Sequence, residues 1–501
     1  MRNLFGSFVL FPVALAACGG SDHDARSDAG APLGDAAHDG APSDGDGGGV
    51  QGPEMVPPAP DYDDIGIQVA PTGDDATGDG TEAKPYRTIG HVLAEVAQPG
   101  DTIILRDGVY NEQVRIRQPN ITIRSHSGEW GVISQPITID GNNPMVPVLF
   151  DVDSDGSKLQ RVEVTGGFYA IQLFTNWGSG GSDTLGATNI TIEDSKIHDT
   201  GRDCIKITPQ SDGFTIRRSE IYNSGKGYPP NTPPDDMNAE GIDAVNADDF
   251  LVQDCYIHDT ATTGVYFKGG STNGVVERTR VLRTGAFGIA LGFDTSLEWF
   301  DTVTNPGYYE NIDGTVRNCI VEDTRYAGIA MYAARNPKVI NNTIINSAKV
   351  GHSPIYFGIT FQDWDPNAGR PANVNPVVVN NIVAQPSGGD CVFIRHSDEL
   401  GGLDALSGPA TIDNNIYFGG SAACTFTDRR AGGVEAVALA AWRTHLGGDA
   451  SSLETAPALT ADGHLEAGSP AIDRGQNREE VTYDFDREMR TGTFDIGADE
   501  R

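Results

Sequence analysis

The sequence has few basic residues for its length. Its 501 residues include 35 lysines and arginines against 70 aspartates and glutamates, for a formal net charge of −35. Binding of nucleic-acid phosphates requires basic surface. We therefore expect no nucleic-acid partner. We also expect a monomer.

Long apolar runs are also scarce. Residues 1–18, MRNLFGSFVLFPVALAAC, join one arginine, a short apolar run and small residues, which predicts a signal peptide. The ending Leu15-Ala16-Ala17-Cys18 resembles a bacterial lipobox, which implies export and a lipid on Cys18 at the outer membrane or cell surface. A plain signal peptide is the alternative. No second run is long enough to span a bilayer, so we expect an anchored protein.

Residues 19–74 contain few apolar side chains and are rich in Gly, Asp, Ala and Pro. Such a segment cannot bury enough apolar surface to offset its ordering entropy, which predicts a disordered acidic linker. The linker carries a sizeable share of the negative charge. The folded part that follows is therefore less acidic than the whole chain, although it remains acidic.

Cysteine is rare, with six in the chain, and the spacings match no zinc motif. Export permits disulfides, and Cys391 with Cys424 is the candidate pair. If Cys18 is lipidated, five cysteines remain and at least one is unpaired. We assign the other three to the core as small apolar residues: Cys204, Cys255 and Cys319.

One repeat dominates the middle of the chain. The segments NITIEDSKIHDTGRDCIKIT, FLVQDCYIHDTATTGVYFKGG and TVRNCIVEDTRYAGIAMY share three short alternating strands and a polar turn, with a period of about 22 to 25 residues. This pattern predicts a solenoid of strands. Roughly residues 75–420 resemble right-handed parallel β-helix proteins, so we expect that all-β fold. An antiparallel sandwich is the alternative.

Both ends of such a solenoid need caps. Ile89, Val92, Leu93 and Val96 fall on one helical stripe before Pro99-Gly100, which predicts an N-terminal capping helix. This stretch resembles the cap of secreted β-helix proteins. Residues 421–501 are expected to form the C-terminal capping region, and their SPAID…DIGADE tail resembles one found in exported bacterial β-helix proteins.

Equivalent residues of successive coils lie about 4.8 Å apart, so an alignment predicts neighbours. The third strands align as DCIKIT (203–208), EGIDAV (240–245), TGVYFK (263–268), FGIALG (287–292) and AGIAMY (327–332). Two apolar columns must point inward. The outward columns of three adjacent coils form one patch on the solenoid surface: Asp203, Lys206, Glu240, Asp243, Tyr266 and Lys268.

Like charges stack within this patch, because Asp203 lies beside Glu240, which is unfavourable unless a cation intervenes. The inserted loop SGKGYPPNTPPDDMN brings two more carboxylates nearby. Clustered carboxylates suit Ca²⁺. The predicted calcium ligands are Asp203, Asp235, Asp236, Glu240 and Asp243. The alternative is an ordinary cross-strand ion pair of Lys206 with Asp243, beside solvated acids.

This patch suits β-elimination on a uronic acid polymer, in which a metal neutralises the substrate carboxylate and a base removes the adjacent proton. The candidate bases are Lys206 and Lys268, and Tyr266 or His258 could supply a proton. His258 recurs with His198 in two copies of IHDT, which also fits a turn-edge surface. Insertions at one edge of several coils predict a walled groove, with substrate contacts from Trp299, Tyr308 and Arg395.

The loop leading into NAEGID resembles the calcium-binding region of family 9 pectate lyases, which implies a lysine base just after that strand. Here Ala244-Val245-Asn246 contain no lysine, so Lys206 or Lys268 would have to substitute. Lys268 is also similar to the lysine of chondroitinase B and related alginate lyases, although GIALG lacks their arginine. EGIDAV is similar to the Asp-bearing strand of alginate epimerases, and Asp243 fits.

These features predict a surface protein that handles an acidic polysaccharide, with a calcium-assisted lyase as the leading interpretation. A uronan C5-epimerase shares the proton-abstraction step and is one alternative. A non-catalytic glycan-binding or structural surface protein is the other.

Overall fold

The third strands of the repeat belong to one of three long sheets that wind around a common core. The computed structural model describes residues 60–176, 184–360, 370–398 and 400–501. Each long sheet contains 12 strands, and successive strands come from successive coils. All neighbours in these sheets pair in parallel, apart from the last pair of the third sheet. The chain is therefore a parallel β-helix, and the antiparallel sandwich is wrong.

The first two sheets lead each coil. The first sheet comprises Ile67–Val69, Thr102–Leu105, Thr122–Ser125, Lys158–Gln160, Thr191–Glu193, Thr215–Arg217, Leu251–Gln253, Val275–Glu277, Thr315–Arg317, Lys338–Ile340, Val377–Val379 and Thr411–Asp413. The second comprises Gly108–Tyr110, Gly131–Gln135, Glu163–Gly166, Lys196–His198, Glu220–Tyr222, Tyr256–Thr260, Arg280–Thr284, Ile320–Glu322, Thr343–Ile345, Ile382–Ala384, Ile416–Phe418 and Leu453–Glu454.

The third sheet completes each coil. It comprises Val114–Ile116, Val148–Phe150, Ile171–Leu173, Ile205–Ile207, Ile242–Val245, Val265–Lys268, Ile289–Leu291, Ile329–Tyr332, Ile355–Gly358, Gly389–Ile394, Cys424–Asp428 and Val434–Val437. A short sheet follows it in the later coils: Ser271–Thr272, Asn311–Ile312, Ala334–Arg335, Asn373–Val374 and Leu406–Ser407. Two hairpins project beside it: Thr175–Asn176 with Leu185–Gly186, and His396–Ser397 with Leu403–Asp404.

The predicted register of the third sheet is confirmed. Ile205 pairs with Ile242, which pairs with Val265, and this inward column continues through Ile289 and Ile329. All five side chains are buried. The residue after each therefore points away from the core, because side chains alternate along a strand.

The cysteines behave as expected where the structure describes them. Cys391 and Cys424 form a disulfide with Cα atoms 5.6 Å apart. Free thiols are present at three buried positions: Cys204, Cys255 and Cys319. Burial raises the pKa of each of these thiols to about 12, which makes them inert core residues. The predicted signal peptide, with Cys18, lies outside the described residues, as does the linker up to residue 59. The last part of the predicted linker belongs to the fold, because its strand Ile67–Val69 pairs in parallel with Thr102–Leu105.

A short helix lies at the N-terminal end, as predicted. It begins as an α-helix over Ile89–His91 and continues as a π-helix over Val92–Val96. The Thr88 hydroxyl accepts a hydrogen bond from the His91 amide, which satisfies one free N–H of the first turn. Ile89 and Val92 are fully buried against the first coils, and the helix ends before Pro99-Gly100.

The C-terminal region adds an eight-residue helix, Leu439–Leu446, whose Trp442 ring stacks on Phe426. Beyond Glu454 the chain runs back along the solenoid. Asn380 donates to the backbone oxygen of Gln476, and Asn341 donates to that of Asp495. Two 3₁₀ helices, Pro234–Asp236 and Leu297–Trp299, occur in inserted loops. Among the described residues, no helix is long and apolar enough to cross a membrane.

Candidate functional site

The outer face of the third sheet brings together the charged patch predicted from the alignment. Lys206 pairs with Asp243 and Asp243 with Tyr266, one from each of three neighbouring strands. Lys268 lies two residues beyond Tyr266 on the same strand. We call this group the acid–lysine cluster: Asp203, Lys206, Glu240, Asp243, Tyr266 and Lys268.

Three carboxyl groups meet within this cluster. Oxygen atoms of Asp203, Glu240 and Asp243 all lie within 4.8 Å of one another. The Glu240 amide donates to Asp203 Oδ1 at 3.1 Å, and the Thr262 hydroxyl donates to Glu240 Oε1 at 2.9 Å. One oxygen of each carboxyl group receives no hydrogen bond from an N–H or hydroxyl group of the described residues.

Cations surround these carboxyl groups. Lys206 Nζ forms an ion pair with Asp243 and lies 3.6 Å from Asp203 Oδ2. Lys268 Nζ lies 3.8 Å from Asp243 Oδ1 and 4.6 Å from the centre of the Tyr266 ring. Arg202 donates to the backbone oxygen of Asn238 at 2.8 Å. With every group ionised, three cations would balance three carboxylates.

The environment separates the acidities of these groups. Burial and the neighbouring charges of Asp203 and Asp243 raise the pKa of Glu240 well above its usual value. Burial also acts on Asp243, but Lys206 and Lys268 outweigh it and lower the pKa of that carboxyl group. Burial, with the charge of Glu240, raises the pKa of Tyr266. A carboxyl group with a raised pKa beside one with a lowered pKa is an arrangement suited to proton transfer.

The sequence did not predict the burial of this cluster. Its side chains point away from the solenoid core, yet Lys206 is 1% exposed and Lys268 6%. Aromatic clusters flank it along the face, with Phe168 and Tyr169 on one side and Phe287 on the other. The alternative of an ion pair beside solvated acids is therefore wrong, because outward-facing rings and charges pack together and Asp203 and Glu240 are buried.

Oxygen donors for a calcium ion are present in part. Asp203, Glu240 and Asp243 bring together carboxylate oxygens, which are the hard ligands that Ca²⁺ prefers. Lys206 already contacts two of these residues, Asp203 and Asp243. Asp235 is engaged elsewhere: it pairs with Arg325 and accepts from the Tyr326 hydroxyl.

Asp236 lies beside Asp235 in the 3₁₀ helix Pro234–Asp236 and outside the three-residue cluster. The five predicted ligands are thus not brought to one point.

The inserted loops flank opposite edges of the third sheet. The loop 225–238 enters the strand Ile242–Val245, whereas residues 293–310 follow the strand Ile289–Leu291. The prediction that all insertions share one edge is therefore wrong for the first loop, and the third sheet lies between the two. The predicted loop at 361–370 lies almost wholly outside the described residues.

The predicted substrate contacts lie on segments that follow third-sheet strands: Trp299 and Tyr308 in the loop 293–310, and Arg395 after Gly389–Ile394. The backbone oxygen of Trp299 accepts from Asn246 at 2.7 Å, and the Tyr308 ring packs edge-on against Phe300. Both residues hold their own loop in place. Arg395 follows the third-sheet strand Gly389–Ile394, and its amide donates to the oxygen of Phe357.

His258 lies on a different sheet from the cluster. It belongs to the second-sheet strand Tyr256–Thr260, where Asp259 and Glu220 contact its two ring nitrogens at 2.7 and 3.2 Å. Its ring stacks on Tyr222, which in turn stacks on His198. His258 is therefore part of a stack of rings on the second sheet. Of the two predicted proton donors, only Tyr266 lies at the acid–lysine cluster.

Two residues beside the cluster were missed from the sequence. Arg202 directly precedes Asp203, and the Tyr169 ring lies 6.0 Å from Lys206 Nζ. Tyr169 belongs to GGFYAIQLF, one coil before the first aligned segment. The pairing of Ile171 with Ile205 shows that this segment is one more copy of the repeat, and extending the alignment backwards would have found it.

Comparison with known proteins agrees with this architecture. A family model described as "Right handed beta helix region" matches residues 153–296 and 183–355, so the predicted right-handed parallel β-helix is confirmed. No curated protein matches the sequence. Among solved structures, pectate lyase Pel9A is 15% identical with a TM-score of 0.53, covering 87% of this chain and 97% of its own.

Two further structures are similar at lower scores. XylC in complex with xylose is 13% identical with a TM-score of 0.47, covering 87% of this chain and 98% of its own. The A-module of the mannuronan C-5 epimerase AlgE4 of Azotobacter vinelandii is 14% identical with a TM-score of 0.43, covering 63% of this chain and 87% of its own. At these identities the likeness concerns the fold.

Proposed function

We propose that the protein is a polysaccharide lyase that cleaves a uronic acid polymer by β-elimination at the acid–lysine cluster. The observation that carries the proposal is geometric: oxygen atoms of Asp203, Glu240 and Asp243 lie within 4.8 Å of one another, and Lys268 Nζ lies 3.8 Å from Asp243 Oδ1. The surroundings raise the pKa of Glu240 and lower the pKa of Asp243. Proton donors and acceptors of separated acidity are what acid–base catalysis needs. Pel9A, a pectate lyase, provides a precedent for this chemistry on the same fold.

Lys268 is the better candidate for the base. Its ammonium lies 3.8 Å from the nearest carboxylate oxygen, whereas Lys206 is held tightly by Asp243 and approached by Asp203. A lysine held by two carboxylates stays protonated and cannot accept a proton. Lys268 is also the more exposed of the two.

The reaction balances with one base and one acid. The Lys268 amine, once it has given up its own proton to solvent, takes the proton beside the substrate carboxylate. The released electron pair forms a carbon–carbon double bond, and the glycosidic carbon–oxygen bond breaks. Protonated Glu240 or the Tyr266 hydroxyl gives its proton to the departing oxygen. Burial raises the pKa of both groups, which favours their protonated forms.

Calcium fits this scheme through the three clustered carboxyl groups. Asp203, Glu240 and Asp243 would hold it in their ionised form, and the Tyr266 hydroxyl would then be the proton donor. A bound cation would neutralise the substrate carboxylate and so make the neighbouring proton more acidic. It would also reconcile an acidic protein with an acidic polymer.

We further propose that the chain is exported and anchored through a lipid on Cys18. The lipobox-like ending at that residue supports the proposal. Intact-mass analysis of the mature protein from membranes tests it, since lipidation leaves Cys18 as a modified first residue. An unmodified N-terminus elsewhere would overturn the anchor.

The test of the lyase is an ultraviolet assay. The purified protein from residue 60 to 501 is mixed with polygalacturonate, alginate and chondroitin sulfate, each with calcium or with chelator. Elimination produces an unsaturated uronate that absorbs in the ultraviolet, which neither hydrolysis nor binding does. A calcium-dependent rise that Lys268→Met abolishes supports the lyase, and a flat trace on all three polymers rejects it.

The assay also separates the alternatives. An epimerase gives no absorbance but changes the sugar configuration of the recovered polymer, which NMR detects. A polymer that is bound without either change favours the non-catalytic surface protein.

A further inference from the structure

Arg202 is a buried cation beside the acid–lysine cluster. It directly precedes Asp203 and is 9% exposed. Its guanidinium lies 5.3 Å from the centre of the Phe168 ring, and its Nε donates to the backbone oxygen of Asn238 at 2.8 Å. A guanidinium has five N–H donors and keeps its charge in proteins. Among the described residues, only this one donor finds an acceptor.

Arg202 also has no ion pair, in contrast to the two lysines of the cluster. Lys206 contacts both Asp243 and Asp203. Lys268 lies 3.8 Å from Asp243. In the part of the chain that the structure describes, no carboxylate oxygen lies within 4.0 Å of a guanidinium nitrogen of Arg202. A buried charge without a partner is unfavourable, because it loses its hydration and gains no attraction in return.

The carboxyl groups of the cluster are engaged with other partners. Asp203 accepts from the Glu240 amide and faces Lys206 at 3.6 Å, and Asp243 is held by both lysines. The surroundings raise the pKa of Glu240, which favours its neutral form. With Glu240 neutral, the three cations outnumber the ionised carboxylates by one. A calcium ion held by three ionised carboxylates would leave a larger excess of positive charge.

Arg202 is the most exposed of these three cations, at 9% against 6% for Lys268 and 1% for Lys206. Its coil contributes the strand Ile205–Ile207, and Lys268 belongs to the strand two coils later. The two residues therefore lie at opposite ends of the cluster, two strand spacings or about 10 Å apart along the solenoid. A guanidinium matches a carboxylate with two parallel hydrogen bonds. An extended acidic polymer can thus contact Arg202 at one end and Lys268 at the other.

We propose that Arg202 binds a carboxylate group of the polymer and so selects acidic sugar units. The bound carboxylate forms the ion pair that Arg202 lacks within the protein. The inference rests on the proposed function for the reaction at Lys268, but the contact itself needs neither calcium nor turnover. Arg202 is therefore a substrate-binding residue, separate from the base and the acid.

Affinity electrophoresis tests this proposal with the protein of the ultraviolet assay and with chelator present. The gels contain polygalacturonate, alginate or chondroitin, or the same polymer after its carboxylates have been reduced to alcohols. Mobility is compared with that in a gel without polymer. We expect at least one acidic polymer to retard the protein, and we expect its reduced form to bind about tenfold more weakly, because the charge-assisted contact is lost.

Arg202→Gln should weaken binding of the acidic polymer about tenfold for the same reason. Binding of the reduced polymer should not change, because that polymer has no carboxylate for Arg202. If Arg202 only holds Asn238 in place, the variant weakens binding of both forms equally, and that result overturns the proposal.

A second variant, Arg202→Lys, keeps the charge without the paired hydrogen bonds, and should lose part of the affinity for the acidic polymer alone. Thermal unfolding of each variant confirms that it is folded. If Arg202→Gln does not fold, Arg202→Lys decides by the same comparison of the acidic and the reduced polymer.

The matched control is Arg161→Gln. Arg161 is also a partly buried arginine that donates to backbone oxygens, those of His126 and Glu129 at 3.0 and 3.2 Å. It lies between a first-sheet and a second-sheet strand, so the same charge is removed away from the cluster. Equal loss of binding in Arg161→Gln and Arg202→Gln, or no retardation by any of the three acidic polymers, overturns the proposal.

The outcome for Arg202 is distinct from the outcome for the lyase. Binding of an acidic polymer that Arg202→Gln weakens, without any ultraviolet product, upholds the role of Arg202 and rejects the lyase. Turnover with a KM that Arg202→Gln leaves unchanged upholds the lyase and rejects the role of Arg202. If both proposals hold, Arg202→Gln raises the KM for the acidic polymer about tenfold.

Discussion

Lys206 and Asp243 form an ion pair between neighbouring coils of the third sheet, and each side chain is only 1% exposed. The pair lies on the outward side of the strands, where the solenoid would ordinarily meet water. Aromatic rings and other charged groups surround the pair. If one partner is removed, water therefore cannot solvate the charge that remains. Breaking this pair should therefore lower the stability of the protein and also change the charge around the candidate site.

Replacing Lys206 should destabilise the protein more than replacing Lys268. Lys206→Met leaves Asp243 buried with a single cation at 3.8 Å, and breaking a buried pair costs about 3 to 5 kcal/mol. Lys268→Met removes only that longer contact, for about 1 kcal/mol. Urea unfolding measures both. Equal losses would contradict the different roles assigned to the two lysines.

Lys268→Met should abolish elimination while leaving polymer binding intact. Removing the base from an acid–base reaction lowers kcat by about 100-fold or more. The matched control is Lys196→Met on the second sheet, whose ammonium lies over the Trp130 ring, away from the cluster. Initial rates of ultraviolet absorbance on the accepted polymer give the comparison. Full activity in Lys268→Met would return the role of base to Lys206.

Glu240→Gln should make the protein more stable at neutral pH and inactive. The raised pKa of Glu240 means that its ionised form is disfavoured on folding, so the group lowers stability above its unfolded pKa of about 4.3. Glutamine still accepts the Thr262 hydrogen bond. We expect a gain of about 1 kcal/mol near neutral pH in chelator.

This gain should shrink towards acidic pH, where Glu240 is protonated in both the folded and the unfolded state. Urea unfolding of both proteins at two pH values measures this gain. If the gain is the same below the unfolded pKa as at neutral pH, it does not come from the ionisation of Glu240.

The disulfide between Cys391 and Cys424 should contribute measurably to stability. It closes a loop with a sequence separation of 33, for which loop entropy gives about 4 kcal/mol. The Cys391→Ala/Cys424→Ala double variant should lose this amount in chemical denaturation. Cys319→Ala serves as control, because that thiol is buried and free. Reduction by dithiothreitol should destabilise the unsubstituted protein by the same amount. It should leave the stability of the double variant unchanged.

The C-terminal region should lose stability in mildly alkaline solution. The hydrogen bond that the His464 ring donates to Asp486 raises the pKa of His464 to about 9, above the unfolded value of about 6.5. A histidine whose pKa is higher in the folded than in the unfolded state makes its full contribution to stability below the unfolded pKa. This contribution is lost as the pH rises through the folded pKa. We expect a loss of about 2 kcal/mol across that window, reduced by solvent screening. His464→Gln should show a flat profile there.

The repeat made most of the fold predictable. Alternating apolar residues at a constant period fixed which side chains enter the core, so the column from Ile205 to Ile329 matches the structure residue for residue. The same register brought Lys206, Asp243 and Tyr266 together. Neighbours in a parallel solenoid are set by the alignment alone, because each coil lies directly on the previous one.

The surroundings of the site could not be read in this way. The burial of Lys206, the pairing of Asp235 with Arg325 and the ring contacts of His352 depend on how loops and outward side chains pack across the face. No period governs that packing, since the loops differ from coil to coil. The sequence by itself determined the solenoid, its register and the residues of the cluster. Tertiary structure alone decided their burial, and hence their acidity, because desolvation depends on every atom around a charge.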